Sequence, residues 1–147
     1  MASDGEDWPD IEGALRDYLR NDADLVPLVN RRVFFVAPKR AVFPMILVTR
    51  IGGGQASGEA PMDTALLQLD IIGIKADEAG GGKGPVTQVA LATQKALSKI
   101  RGRTVLVPGV TAFDARIASS FYSPFPGDDR PRQIITTVIP SIVTTVP

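Results

Sequence analysis

Apolar residues recur at Ile11, Ala14, Leu15, Tyr18 and Leu19, the spacing that draws one stripe along a helix. Asp7-Trp8-Pro9-Asp10 precedes it, with Asp7 placed to cap free backbone N–H groups and Pro9 suited to a first turn. Asn21-Asp22 ends or re-caps that helix. A second, short helical piece is expected over Asp24 to Val29, where Pro27 falls in the first turn. Val33 to Val36 then reads as a short strand, and Pro44 to Ile51 as an apolar one fit for a sheet centre, stopped by Gly52-Gly53-Gly54. Gln55 to Pro61 reads as a connector. Thr64 to Ile74 alternates: Ala65, Leu67, Leu69 and Ile71 share one face, while Leu66, Gln68, Asp70 and Ile72 make a mixed, partly covered one.

Asp77 to Gly84 is a glycine-rich lead into an amphipathic helix that begins near Pro85. It places Val86, Val89, Ala90, Thr93, Leu97 and Ile100 on one stripe and closes at Gly102. Thr104 to Val107, Val110 to Ser119 and Gln133 to Ile139 are strand-like, the last two joined by a proline- and aromatic-rich connection, Phe121 to Arg132. Only the helix over 85–101 is long enough to cross between parallel strands. The expected fold is therefore α+β, a mainly antiparallel sheet packed against two helices. A length of 147 residues fits a single domain. That domain spans 8–139, and a C-terminal extension, 140–147, alternates small polar and apolar residues in a way that suits pairing with a neighbouring sheet edge.

Composition narrows the chemistry. The chain has no cysteine and no histidine, so thiolate nucleophiles, thiolate metal sites and imidazole bases are all missing. Catalysis would have to rest on carboxylates, lysines and hydroxyls, and the expectation is that the chain is not an enzyme and carries no cofactor. Sixteen basic and sixteen acidic residues cancel, where a free-standing nucleic-acid binder would carry a basic excess. The acidic start, Met1 to Trp8, lacks the basic-then-apolar pattern of a signal peptide, and runs such as Met45 to Val48 fall far short of a membrane span.

Two motifs invite chemistry and fail. Gly80-Gly81-Gly82-Lys83-Gly84 has the context of a phosphate-binding loop, but Asp77 stands where the first glycine belongs and Gly84 where the magnesium-binding hydroxyl belongs. Asp128-Asp129 lies within Pro126-Gly127-Asp128-Asp129-Arg130-Pro131, whose composition specifies a turn. What remains points to protein surfaces. Arg31, Arg32, Lys39, Arg40 and Arg50 form a stretch free of acid, facing the acidic first two dozen residues in sequence. Lys83, Lys95, Lys99, Arg101 and Arg103 form another. Such blocks serve either helix-end electrostatics or the steering of one subunit onto another. Phe121, Tyr122 and Phe125 are costly to leave in water, so they fold back as a lid or dock on a partner. These eight residues, from Arg31 to Arg50 and from Phe121 to Phe125, are the interface candidates.

The whole pattern resembles the small tail-terminator or tail-completion proteins of long-tailed bacteriophages. The resemblance runs through Ile11-Glu12-Gly13-Ala14-Leu15-Arg16-Asp17-Tyr18-Leu19, Asp22 to Val29, Arg32-Val33-Phe34, Phe43 to Gly54, Leu67 to Gly73, the helix Val86 to Ile100 and the closing hairpin. It covers most of 11–139, and its motifs are architectural. It implies a homohexameric ring at the head-proximal end of the tail tube, which ends tube polymerisation and offers a surface to the head-side connector. The implied partners are copies of itself, the tail tube protein and that connector, in the virion tail after assembly in the host cytoplasm. DNA would pass through without specific binding, which zero net charge suits, since each neutralised phosphate strengthens a grip. Other phage neck subunits, such as a stopper or a connector subunit, share the design and are the alternative; a small nucleotide-binding or hydrolytic domain using the Gly80–Gly84 loop and a monomeric binding module are the readings from other classes.

Overall fold

The computed structural model describes residues 8–56, 62–127 and 129–144. The first helix, α1, spans Ile11–Arg20 and is capped by Asp10, whose carboxylate accepts the Gly13 N–H at 3.1 Å. Asp7, the expected cap, lies outside the described residues. The expected stripe is buried at Ile11, Ala14, Leu15 and Leu19, and the half-buried Tyr18 hydroxyl donates to the Ala96 carbonyl at 2.7 Å. The second helix is shorter than expected, α2 at Val26–Val29. The Asp22 carboxylate accepts N–H groups of Asp24 and Leu25 at 2.9 and 3.1 Å and holds that approach as a turn.

The strands are β1 (Val33–Phe34), β2 (Met45–Ala56), β3 (Met62–Ile72), β4 (Arg101–Val107), β5 (Val110–Asp114), β6 (Arg116–Tyr122) and β7 (Arg132–Val143); the third helix, α3 (Lys83–Ser98), joins β3 to β4. They form one sheet in the order β1-β2-β3-β7-β5-β4, with β6 also pairing β7. All pairs are antiparallel except β1 with β2. The sheet is therefore mixed. Its one parallel pair is joined by the loop 35–44, not by the helix expected to make any such crossover, and β3 and β4, which α3 does connect, are not neighbours.

Several strand boundaries differ from the sequence reading, and three of them have a local reason. The glycines at 52–54 do not stop β2. A register shift between Arg50 and Gly52, and a φ of +109° at Gly53, let the backbone pass close to the Thr64 carbonyl, where a side chain would collide. Of the expected connector, Gln55 and Ala56 thus belong to β2, and 57–61 lie outside the described residues. The strand expected over Val110 to Ser119 breaks at Ala115, whose N–H goes to the Asp114 carboxylate at 2.9 Å; both halves still run along β7. Finally, Pro140–Val143, expected as the start of an extension, is the end of β7, paired with β3 and β5 of the same chain. Pro140 falls between Val138, which pairs β6, and Ser141, which pairs β5, so its missing N–H meets the gap at Ala115.

The core lies on one face of the sheet. Ala65, Leu67, Leu69 and Ile71 alternate inward along β3, with Val48 and Ile135 flanking Leu69, and meet α1 and α3. Val86, Val89, Ala90, Thr93 and Leu97 are buried along α3, as their spacing predicts; the helix ends at Ser98, short of the expected close at Gly102, and Ile100 is buried just beyond it. Each fully buried Leu or Ile contributes about 1.5–3 kcal/mol of transfer free energy. The other face is polar and apolar by turns, with Leu66, Gln68 and Asp70 half-buried. No helix among the described residues is long and apolar enough to cross a membrane.

Candidate interaction surfaces

Strand directions bring three connections to one end of the sheet: 35–44 ahead of β2, 73–82 after β3, and 123–131 ahead of β7. Two are tied down by cations on rings. The Arg130 guanidinium lies 3.9 Å from the Phe43 ring centroid, and Arg132 lies 4.3 Å from that of Phe125. Arg132 also donates to the Ser123 carbonyl at 2.8 Å and approaches Asp70 at 3.7 Å; Arg130 donates to the Gly73 carbonyl at 3.1 Å. Between the loops is an apolar cavity of about 270 Å³ lined by Ala37, Phe43, Met45, Leu47, Ile72 and Phe125, among others. The 123–131 connection thus folds back over the sheet.

The eight interface candidates divide on inspection. Arg50 is consumed internally. Its guanidinium makes a two-pronged ion pair with Asp63 at 2.5 and 2.7 Å, and its backbone N–H donates to Glu12 of α1 at 2.8 Å. Asp63 is wholly buried, and its hydrogen bonds hold the Arg50 pKa up against desolvation. Arg32 donates to the Pro44 carbonyl at 2.9 Å and so pins the 35–44 loop; Arg31, at φ +63°, donates to Asn21 at 2.7 Å. Tyr122 is half-buried with Lys83 4.9 Å from its ring, and Phe125 is half-buried beneath Arg132. Lys39, Arg40 and Phe121 remain open to solvent.

The long charge blocks also meet within the chain. Lys99 pairs with Asp22 at 3.1 Å and Lys95 with Asp24 at 3.3 Å, joining the acidic start to α3. The sequence reading missed Asp63, yet the signal was there. Asp63 occupies the parity of Ala65, Leu67, Leu69 and Ile71, and a carboxylate in a buried series requires a partner. Other acids of interest, Asp77, Glu78 and Asp129, are exposed on the 73–82 and 123–131 connections. Asp128 lies outside the described residues.

In the glycine-rich lead to α3, the N–H groups of Gly81 and Gly82 donate to the Glu78 and Ile74 carbonyls, and Gly80 and Gly82 have φ of +77° and +97°. Those donors are spent on the chain's own backbone, as a strand-to-helix turn requires. Among the described residues no group of acids is placed to hold a metal ion.

No protein-family model and no curated protein matches the sequence. Solved structures do match it. One is a chain of the virion of a native gene transfer agent (GTA) particle, which superposes with a TM-score of 0.69 at 19% identity and covers 91% of this chain and 95% of that one. At that identity the likeness is one of fold, and it extends over nearly the whole of both chains.

Proposed function

We propose that this chain is a structural component of a phage-like virion, without catalytic activity, that works by assembling with other virion proteins. The observation that carries the reading is end-to-end fold likeness to a chain of a gene transfer agent virion. The surface agrees with it. Polar side chains inside the fold are spent on structure, while a loop end presents Val36 and Val42 at 78% and 57% exposure beside free cations.

The specific role that fits the resemblance of 11–139 to tail terminators is a ring, hexameric in that family, at the head-proximal end of the tail tube. It would stop tube growth and join the tail to the head connector, with DNA passing through its centre. The test is electron microscopy of purified protein, alone and with tail tubes from the same source. Rings, or density confined to one tube end with growth arrested, are expected. Binding to the head-side connector with no effect on tubes would move the assignment to a stopper, and indifference to both would remove the virion-joining role.

A further inference from the structure

Two stretches of sheet edge carry backbone groups with no partner among the described residues, and ladder alternation identifies them. The outward side of β2 is covered first by β1, where the Ile46 N–H goes to the Arg32 carbonyl, and then by α1, where the Arg50 N–H goes to Glu12. The bonds of an antiparallel strand alternate between its two sides. Past the register shift at Arg50, Gly52, Gly54 and Ala56 bond to Leu66, Thr64 and Met62 of β3, so Gly53 and Gln55 point outward. Both are exposed, and no described group takes their bonds. On β6, the N–H groups of Ser123 and Phe125 cross the hairpin to the Arg132 and Arg130 carbonyls. By the same alternation Phe121 bonds to β7, and Ser120 and Tyr122 face away from it. This second stretch is bounded by the register shift at Ala118 and by Pro124, which has no N–H to give.

Each stretch thus presents two residues, spaced two apart. Since β2 runs with β7 and β6 against it, copies standing side by side in the same sense bring β2 of one antiparallel to β6 of the next. One register uses all four residues, with Gly53 opposite Tyr122 and Gln55 opposite Ser120. A shift of two residues either way sets Gly53 against Pro124, or Gln55 against the irregularity at Ala118. The satisfied register also sets Gly54 opposite Phe121, both on the sheet face away from the helices. The chain's own fold explains neither residue. Phe121 is 49% exposed, while Gly54 has an ordinary φ and open space within 4 Å of where a Cβ would stand. An aromatic ring laid across a bare strand glycine covers its backbone and pins the register.

We infer that the β2 edge at Gly53–Gln55 of one copy pairs antiparallel with the β6 edge at Ser120–Tyr122 of the next, so that one sheet runs through the assembly. The contact is heterologous, and it generates a ring when the rotation between copies closes. Gly54 stands level with Pro140 of β7 and Phe121 with Ile134, six residues and about 20 Å apart along the strand. Successive copies are therefore staggered, as the tilted strands of a closed sheet are. The inference rests on the ring reading and adds the contact that builds the ring.

The chain has no cysteine, so introduced pairs report the register. Opposed residues of a hydrogen-bonded antiparallel pair have Cα atoms about 5.5 Å apart, within reach of a disulfide. The full chain with Gln55→Cys and Ser120→Cys, assembled at high concentration or on tail tubes and then oxidised, should give a ladder of covalent multimers on a non-reducing gel. Gln55→Cys with Arg116→Cys, four residues out of register, should assemble and give no ladder. Gln55→Pro removes one outward N–H and leaves the β3 ladder intact, so with the fold checked by circular dichroism it should weaken self-association about tenfold or more. Assemblies without a ladder from the 55–120 pair, equal ladders from both pairs, or undiminished association of folded Gln55→Pro would overturn this contact and leave the ring reading standing. Failure of the unmodified chain to associate, alone at high concentration or on tail tubes, would overturn both.

Discussion

The turn half of the β2–β3 hairpin and the loop end of the same sheet both carry arginines, and they use them in opposite ways. Toward the hairpin turn, Arg50 is locked to a carboxylate with no solvent exposure, and its own backbone N–H is held by Glu12 from α1. At the loop end, Arg130 and Arg132 lie on aromatic rings, and Lys39 and Arg40 pair with no acid among the described residues. The turn half spends its charge on holding one conformation. The loop end leaves Lys39 and Arg40 exposed. Sequence position alone does not distinguish these cases, since Lys39, Arg40 and Arg50 sit in one acid-free stretch; the difference is made by which strand face and which neighbour each one meets.

That contrast breaks most sharply at Asp63. Asp63→Ala leaves the Arg50 guanidinium, itself about a quarter exposed, without its buried counter-charge. Removing one partner of a buried pair costs about 3 kcal/mol or somewhat more, and the access of water to Arg50 keeps the loss near the lower end. Chemical denaturation should show it. Lys39→Ala with Arg40→Ala should change unfolding stability by no more than about 0.5 kcal/mol, as surface positions without partners do. Equal losses from the two variants would abolish the distinction between the regions.

The aromatic residues give a second, smaller contrast. Phe125 lines the apolar cavity under Arg132, whereas Phe121 is 49% exposed at the end of β6. Phe125→Ala should cost about 1–2 kcal/mol, less than a fully buried phenylalanine because the ring is only half covered. Phe121→Ala should be nearly neutral for folding. Both variants together should stay folded and assemble poorly, and the Phe121→Ala single variant decides which ring matters: if it assembles as the parent does, Phe121 is not part of the contact.

The helix stripes and the inward parity of β3 were legible because burial on one face imposes a period that the sequence must obey. Leu67 and Leu97 could hardly lie elsewhere. The ends of β2, β5 and β7 were not legible, since each depends on a tertiary detail: a bulge that carries the strand through Gly52 to Gly54, a carboxylate that takes the Ala115 N–H, and a ladder gap that admits Pro140. The exposure of the candidate residues was legible in part. Lys39, Arg40 and Phe121 were found as charged or aromatic residues outside any periodic pattern. The pairing of Arg50 with Asp63 was not legible, because pairing between distant residues decides which charges are left, and composition carries no record of that pairing.

The smallest expected effect lies where the acidic start of the chain meets α3, and it sharpens the contrast from the side of pH. Asp24 is depressed below the ordinary carboxylate range chiefly by its hydrogen bond to Lys95, with Lys99 adding to it. A depressed carboxylate contributes stability that is present above its unfolded pKa and is lost as the pH falls through the folded one. Lys99 is raised above the ordinary lysine range, first by its hydrogen bond to Asp22. Its contribution is present below the unfolded pKa and is lost as the pH rises through the folded one. Together they predict a stability plateau at neutral pH, with a shallow fall on the acid side from Asp24 and another on the alkaline side from Lys99. Asp24→Asn should flatten the acid limb and leave the alkaline one, and Lys99→Met should flatten the alkaline limb; both groups are largely solvated, so neither should move the neutral plateau by much. Thermal unfolding midpoints measured across pH read this directly. An acid limb unchanged in Asp24→Asn would mean that these pairs, like Lys39 and Arg40, contribute nothing to holding the body together, and the line between spent and available charge would have to be drawn inside Asp22 and Asp24.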